Sequence, residues 1–190
     1  MTYNVGADAY ARYNDFDSYS YKCIKYLLDN NETIWKLLYY TTPDAWDKTD
    51  LTHDQKATLI YKGEDDESQF KVFLDTKQAD AVYTESCIIR ISPFTIYSEN
   101  RTIGVITMMF EVYCNSHINT LSNYTTRVDS IIKIFIQTFN GLNGAELEMG
   151  IGKFYLDRLG DVSSRMTGRV QTEGQTPMVG KWLLLSSKSS

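Results

Sequence analysis

The sequence predicts an α+β fold: a small mixed β-sheet with one long helix packed on it, short N-terminal helices and an extended C-terminal loop. Three stretches carry that reading. Residues 87–97 and 102–114 are rich in β-branched and aromatic side chains, and Ser98-Glu99-Asn100-Arg101 forms a turn between them. In the second run, Val105, Thr107, Met109, Glu111 and Tyr113 share one face, and Ile106, Met108, Phe110, Val112 and Cys114 the other. Both faces are largely apolar, the mark of a central strand covered on two sides. In the third stretch Ile131, Ile132, Phe135, Ile136 and Phe139 recur at spacings of three and four, one stripe of a helix over residues 126–140. Arg127, Asp129, Ser130, Lys133 and Gln137 take much of the opposite side, and Asn140-Gly141 ends it. Apolar helix stripe and apolar strand faces bury each other by stacking.

The remaining elements follow from local signals. Residues 1–17 hold Tyr3, Tyr10, Tyr13 and Phe16 among small and polar residues, and read as an arm that orders only against a surface. The single domain then spans 18–190. Tyr21, Ile24, Leu27 and Leu28 make a helical stripe with Ser18 or Ser20 as N-cap. Asn30-Asn31 interrupts it, Ile34, Trp35, Leu37 and Leu38 begin a second helix ending near Tyr40, and Pro43 confirms the stop. Thr52 and Gln55 form a capping box opening a helix that runs through Tyr61 and closes at Lys62-Gly63. The acidic run Glu64-Asp65-Asp66-Glu67 follows as a loop. Strands are expected at 69–75, 151–157 and 181–186, with a long loop or extended hairpin at 161–180 between the last two.

Composition narrows the function classes. With 190 residues, 43% apolar and 23% charged, the chain is globular and large enough to bury a core without staples. A net charge of −5 argues against general or sequence-specific nucleic-acid binding. From Asp161 onward four basic residues stand against two acidic ones, so the first 160 residues carry −7. Three cysteines make no disulfide framework. No basic stretch followed by an apolar segment opens the chain, so no secretory leader is expected, and no apolar run approaches the ~18 residues of a membrane helix. Fourteen tyrosines are many, and tyrosine suits surfaces where one end of a side chain is buried and the other wet.

Signs of chemistry are sparse. Cys114-Asn115-Ser116-His117 places a thiol and an imidazole three residues apart, but a zinc site wants four ligands, commonly in paired motifs, and no second pair is present. Cys–His catalysis would also need an orienting group and an oxyanion site. The glycines at 141, 144, 150 and 152 follow a helix and precede a strand, the reverse of a phosphate-cradling loop. Glu64–Glu67 lacks the alternation of a calcium loop and reads as solvated. No catalytic residue, metal or cofactor is therefore assigned. Arg165 and Arg169, in the long polar loop, are the candidate partner-docking residues.

The order of elements resembles the neck and tail-terminator proteins of tailed bacteriophages. Leu37-Leu38-Tyr39-Tyr40 ahead of Pro43-Asp44-Ala45, Leu51-Thr52-His53-Asp54-Gln55 and Arg90-Ile91-Ser92-Pro93-Phe94 ahead of a strand carry the likeness. So do Arg127 to Ile132 and the turn from Asn140-Gly141 to Gly150-Ile151-Gly152-Lys153-Phe154, so that it covers roughly Trp35 to Leu156. The resemblance implies an α+β subunit of a non-enzymatic ring at the head–tail junction of a virion, assembled in the host cytoplasm. Its implied partners are copies of itself and neighbouring portal, neck or tail-tube proteins, with DNA passing through the ring and no membrane contact. Two rival readings stand beside it: an intracellular enzyme or enzyme subunit using Cys114 and His117, and a small non-viral adaptor domain.

Overall fold

The computed structural model describes residues 15–63, 69–74, 86–99, 103–156 and 178–189. Five strands form one mixed sheet: β1 (Val72–Phe73), β2 (Cys87–Ser98), β3 (Gly104–Asn115), β4 (Phe154–Leu156) and β5 (Met178–Ser189), in the order β1-β2-β3-β5-β4. β1 runs parallel to β2, and every other pairing is antiparallel. The expected α+β class is therefore the observed one. β3 is the central strand and is buried along both faces.

All the longer helices lie on one side of this sheet. They are α1 (Tyr19–Asn30), α2 (Glu32–Tyr39) and α4 (Arg127–Phe139), with α3 (His53–Ala57) a short turn between α2 and β1. α1 and α2 pack over β2, and α4 packs over β3, β5 and β4. The helix-side core is built from alternate residues of the strands. Phe110 on β3 meets Phe135 and Phe139 of α4 at ring-centroid distances of 5.2 and 5.0 Å. Such tilted aromatic contacts add about 0.5–1.5 kcal/mol each beyond the area they bury. Cys87 and Cys114 also face this core, directly opposite each other on β2 and β3. The flanking pair bonds through Asn115 N to Ser86 O, which makes Cys87–Cys114 a non-hydrogen-bonded pair with close side chains.

The far face of the sheet holds a second, smaller cluster of Phe70, Phe73, Ile88 and Met178. Beside it the face turns polar. Tyr113 donates to Glu111 Oε1 at 2.5 Å, Arg90 Nε stands 3.6 Å from Glu111 Oε2, and Thr107 Oγ1 bonds Ser186 Oγ at 2.8 Å. Burial first, and then the neighbouring Glu111 carboxylate, push the Tyr113 phenol above its ordinary value.

Several expectations are corrected. The helix after the Thr52–Gln55 capping box stops at Ala57 instead of running to Tyr61. Its continuation turns to join the sheet edge, where Tyr61 N donates to Val72 O and Leu59 O accepts from Lys71 and Val72. Edge pairing there satisfies backbone groups that a longer helix would have satisfied internally. The strand expected at 69–75 is only Val72–Phe73, and that at 151–157 only Phe154–Leu156. The final strand starts at Met178, inside the expected loop, and pairs with β3 along twelve residues. Gly180 had suggested a loop, but it is a packing glycine. A Cβ there would lie 2.7 Å from the Tyr113 ring across the strand pair. Ser18 does stand before α1, but its side chain bonds Asp15 O within the preceding 3-10 turn of residues 16–18 and caps nothing.

Candidate functional site

Buried cations on the helical side are structural. Arg127, expected on the solvent side of α4, is fully buried. Its guanidinium donates to Leu37 O at 2.6 Å, Thr42 O at 3.1 Å and Ile118 O at 3.1 Å. Leu37 belongs to the last turn of α2, whose carbonyls lack partners inside the helix and carry the negative end of its dipole. One side chain thus ties the end of α2, the loop after it and the loop after β3 to the start of α4. Lys56 does similar work at the end of α1. It is buried, and its ammonium donates to Glu32 Oε1 at 2.5 Å and approaches Leu28 O at 3.4 Å. Ser130 is also buried, so the polar side of α4 is narrower than its spacing implied.

The Cys–His constellation separates in space. Cys114 is in the helix-side core beside Cys87, while His117 is exposed in the turn after β3, its backbone N–H held by Asn115 Oδ1 at 2.9 Å. Burial, followed by the hydrogen bond to Cys114, pushes the Cys87 thiol well up, away from the reactive thiolate form. His53 is likewise exposed, on α3. Among the described residues, no three His, Cys, Asp or Glu side chains gather as a metal site would require. No helix among them is long and apolar enough to cross a membrane.

The surface offers instead a groove of about 470 Å³ between α2, α4 and the turn of residues 122–125. Its walls carry Asn31, Trp46, Asn123, Asp129, Lys133 and Gln137. The acceptors in this groove are largely taken up by the chain itself. Asn31 Oδ1 caps α2 by accepting from Ile34 N at 2.9 Å, and Asn123 Oδ1 accepts from Thr125 N and Oγ1 at 3.1 and 2.6 Å. The Asp129 carboxylate accepts from Thr126 Oγ1 at 2.7 Å and from the Lys181 ammonium of β5. Partial burial works to raise the Asp129 pKa, but those hydrogen bonds and the Lys181 charge outweigh it and hold the carboxyl below its ordinary value. The Trp46 indole N–H is buried without an acceptor, and Lys133 and Gln137 have no side-chain partner among the described residues.

At the rim stands Tyr124. It is 95% exposed and sits at φ +62°, a left-handed conformation that a bulky residue adopts only at a cost. The turn holding it is tight: Tyr124 N donates to Leu121 O at 3.0 Å, Leu121 N to Thr125 O at 2.9 Å, and Thr120 bridges Thr126. Tyr21, Tyr39, Phe94 and Tyr97 are exposed as well. Arg165 and Arg169 lie outside the described residues, as does the Glu64–Glu67 run. The groove is not legible in the sequence because its walls come from three separated stretches, around Asn31, at Trp46 and from Asn123 to Gln137. The capping motifs at Asn31 and Thr126 are its local traces.

A family model, that of YomW, matches residues 31–171, from the N-cap of α2 through α4 and β4 and into the following segment. No curated protein and no solved structure gives a significant match to the chain. The matched stretch is well over half of the 190 residues, and the chain belongs to the YomW family, a phage-derived family.

Proposed function

We propose that this phage-associated protein is a non-enzymatic structural component of a tailed-phage virion, a ring subunit at the head–tail junction acting as neck or tail-terminator protein. The observation that carries the reading is the surface: aromatic side chains held out in solvent by a body whose core is complete without them. Tyr124 is the sharpest case, because its backbone conformation costs free energy and its ring gains no burial within the chain. Tyrosines of this kind anchor protein interfaces. Membership of a phage-derived family and the order of elements support the virion setting, and the separation of Cys114 from His117 supports a role without catalysis.

In this reading the protein assembles in the host cytoplasm, contacts copies of itself around the ring, and meets portal, neck or tail-tube components above and below. The connection between β4 and β5, which includes Arg165 and Arg169, supplies the positive docking element for a neighbouring ring. Native mass spectrometry and negative-stain electron microscopy of the purified protein, alone and mixed with neck and tail fractions, test the proposal. Closed rings with a central opening are the expected result. A protein that stays monomeric under both conditions overturns it.

A further inference from the structure

Cys87 opens β2 and Cys114 stands one place before the end of β3, so the two thiols face each other at the open end of the central hairpin. Register decides how near they come. Asn115 N donates to Ser86 O at 3.0 Å, which leaves Cys87 and Cys114 as the next, non-hydrogen-bonded pair. In such a pair the α-carbons approach to about 4.5 Å and both side chains point to one face. A disulfide spans α-carbons about 4.4–6.8 Å apart, so bonding needs no slip of register. The thiols also interact as they stand, since a hydrogen bond to Cys114 follows burial among the causes that raise the Cys87 thiol. Packing alone asks only for two small apolar groups. The facing register is what adds chemistry, and Cys23, on α1, stands outside it.

We propose that Cys87 and Cys114 form a reversible redox site: a dithiol in a reducing compartment, and a cross-strand disulfide once the protein meets a low-molecular-weight disulfide outside it. One protein thiolate attacks the small disulfide, forming a mixed disulfide and expelling one small thiolate. The second protein thiolate then attacks the protein sulfur of that bond, closing Cys87 to Cys114 and expelling the other. The protein loses two electrons, the small disulfide gains them, and the two thiol protons pass to the released thiolates. Both cysteines are buried, so the oxidant reaches them only when the strand ends open. That opening breaks the Asn115 N to Ser86 O bond and the hold of Asn115 Oδ1 on His117 N–H, and it costs less than global unfolding. After reclosure the bond is shielded from reductants and ties the whole β2–β3 loop, which constrains the unfolded chain. Disulfides persist outside reducing cytoplasm. In placing the change at release from the host, the inference rests on the virion reading above.

The test has two arms. In the first, fully reduced full-length protein is incubated in native buffer with oxidised glutathione, free thiols are alkylated, and peptides are mapped by mass spectrometry. Peptides holding Cys87 and Cys114 should appear joined, with Cys23 alkylated. Oxidation should be at least about tenfold slower than in the urea-unfolded chain, because it waits on local opening. The bonded protein should melt about 5 °C higher or more, and dithiothreitol should restore the starting value. Cys23→Ala should bridge equally well. A bridge that includes Cys23, glutathione adducts without a bridge, or a bonded form that melts lower overturns the assignment. So does the absence of any bridge under conditions that oxidise the unfolded chain. In the second arm, thiols are trapped with acid and alkylated in producing cells and in released phage particles. Dithiol in the cells and disulfide in the particles are expected, and the same state in both overturns the change at release. A protein that bridges in isolation but is absent from the particles sinks the virion reading and leaves the redox site standing.

Discussion

Replacing Arg127 with methionine would preserve much of the side chain's length and remove three hydrogen-bond donors at once. Desolvating a guanidinium is itself costly, so part of the loss is offset. The carbonyls of Leu37, Thr42 and Ile118 would stay behind, two of them in part-buried and one in fully buried bonds. At about 1–3 kcal/mol for each unsatisfied group, orphaned carbonyls win, and Arg127→Met should destabilise the protein by roughly 3 kcal/mol or more. Urea unfolding followed by circular dichroism measures this, and a midpoint equal to wild type would show that the contacts are dispensable. Tyr124→Gly should act in the other direction. Relief of left-handed strain is worth about 1–2 kcal/mol against about 0.5–1 kcal/mol for the added chain entropy, so the melting temperature should rise slightly while self-association falls. A lowered melting temperature would mean that the ring supports its own turn. Neither residue's role could be read from spacing. The partners of Arg127 lie up to ninety positions away, and helical periodicity alone placed it on the wet side of α4.

β5 shows the same limit for a whole element. The glycine at 180 and the polar residues before it imitate a loop, while the feature that makes it strand is the Tyr113 ring on β3, which only the fold brings alongside. β2, β3 and α4 were legible almost to the residue because their apolar periodicity is long and the turn and cap signals agree with it. The tie between α4 and β5 also sets a pH response. The folded-state carboxyl of Asp129 titrates below its ordinary value. Its contribution is therefore fully present above the unfolded value near 3.9 and is lost as pH falls through the lower folded one. Because the carboxylate is half exposed, the ion pair with Lys181 is worth no more than about 1 kcal/mol near neutrality. Asp129→Asn should cost at most that much at pH 7, and its melting temperature should fall less steeply than wild type below about pH 4. Parallel slopes for the two proteins would show that other carboxylates govern the acid limb.

At the scale of the molecule, the α+β class and the two-sided burial of β3 followed from sequence because hydrophobic pattern alone specifies layers. The groove did not, since it exists only where α2, Trp46, the turn before α4 and α4 itself converge. The sheet is also the source of a further consequence, which concerns time. Cys87 and Cys114 face each other in a non-hydrogen-bonded pair, where α-carbons lie about 4.5 Å apart, within the span a disulfide can bridge. A slip of one residue between β2 and β3 would carry one thiol to the opposite face of the sheet. With Cys23, the remaining cysteine, changed to alanine, the pair becomes a clock for refolding. A thiol-joining reagent pulsed in briefly after denaturant dilution links the two sulfurs fastest in chains whose central hairpin has already closed in native register, because unfolded chains bring them together only in passing. The rise of the rapidly linked fraction with the time of the pulse, measured against chains held in denaturant, dates the formation of the long-range pairing on which every other layer of the protein is laid.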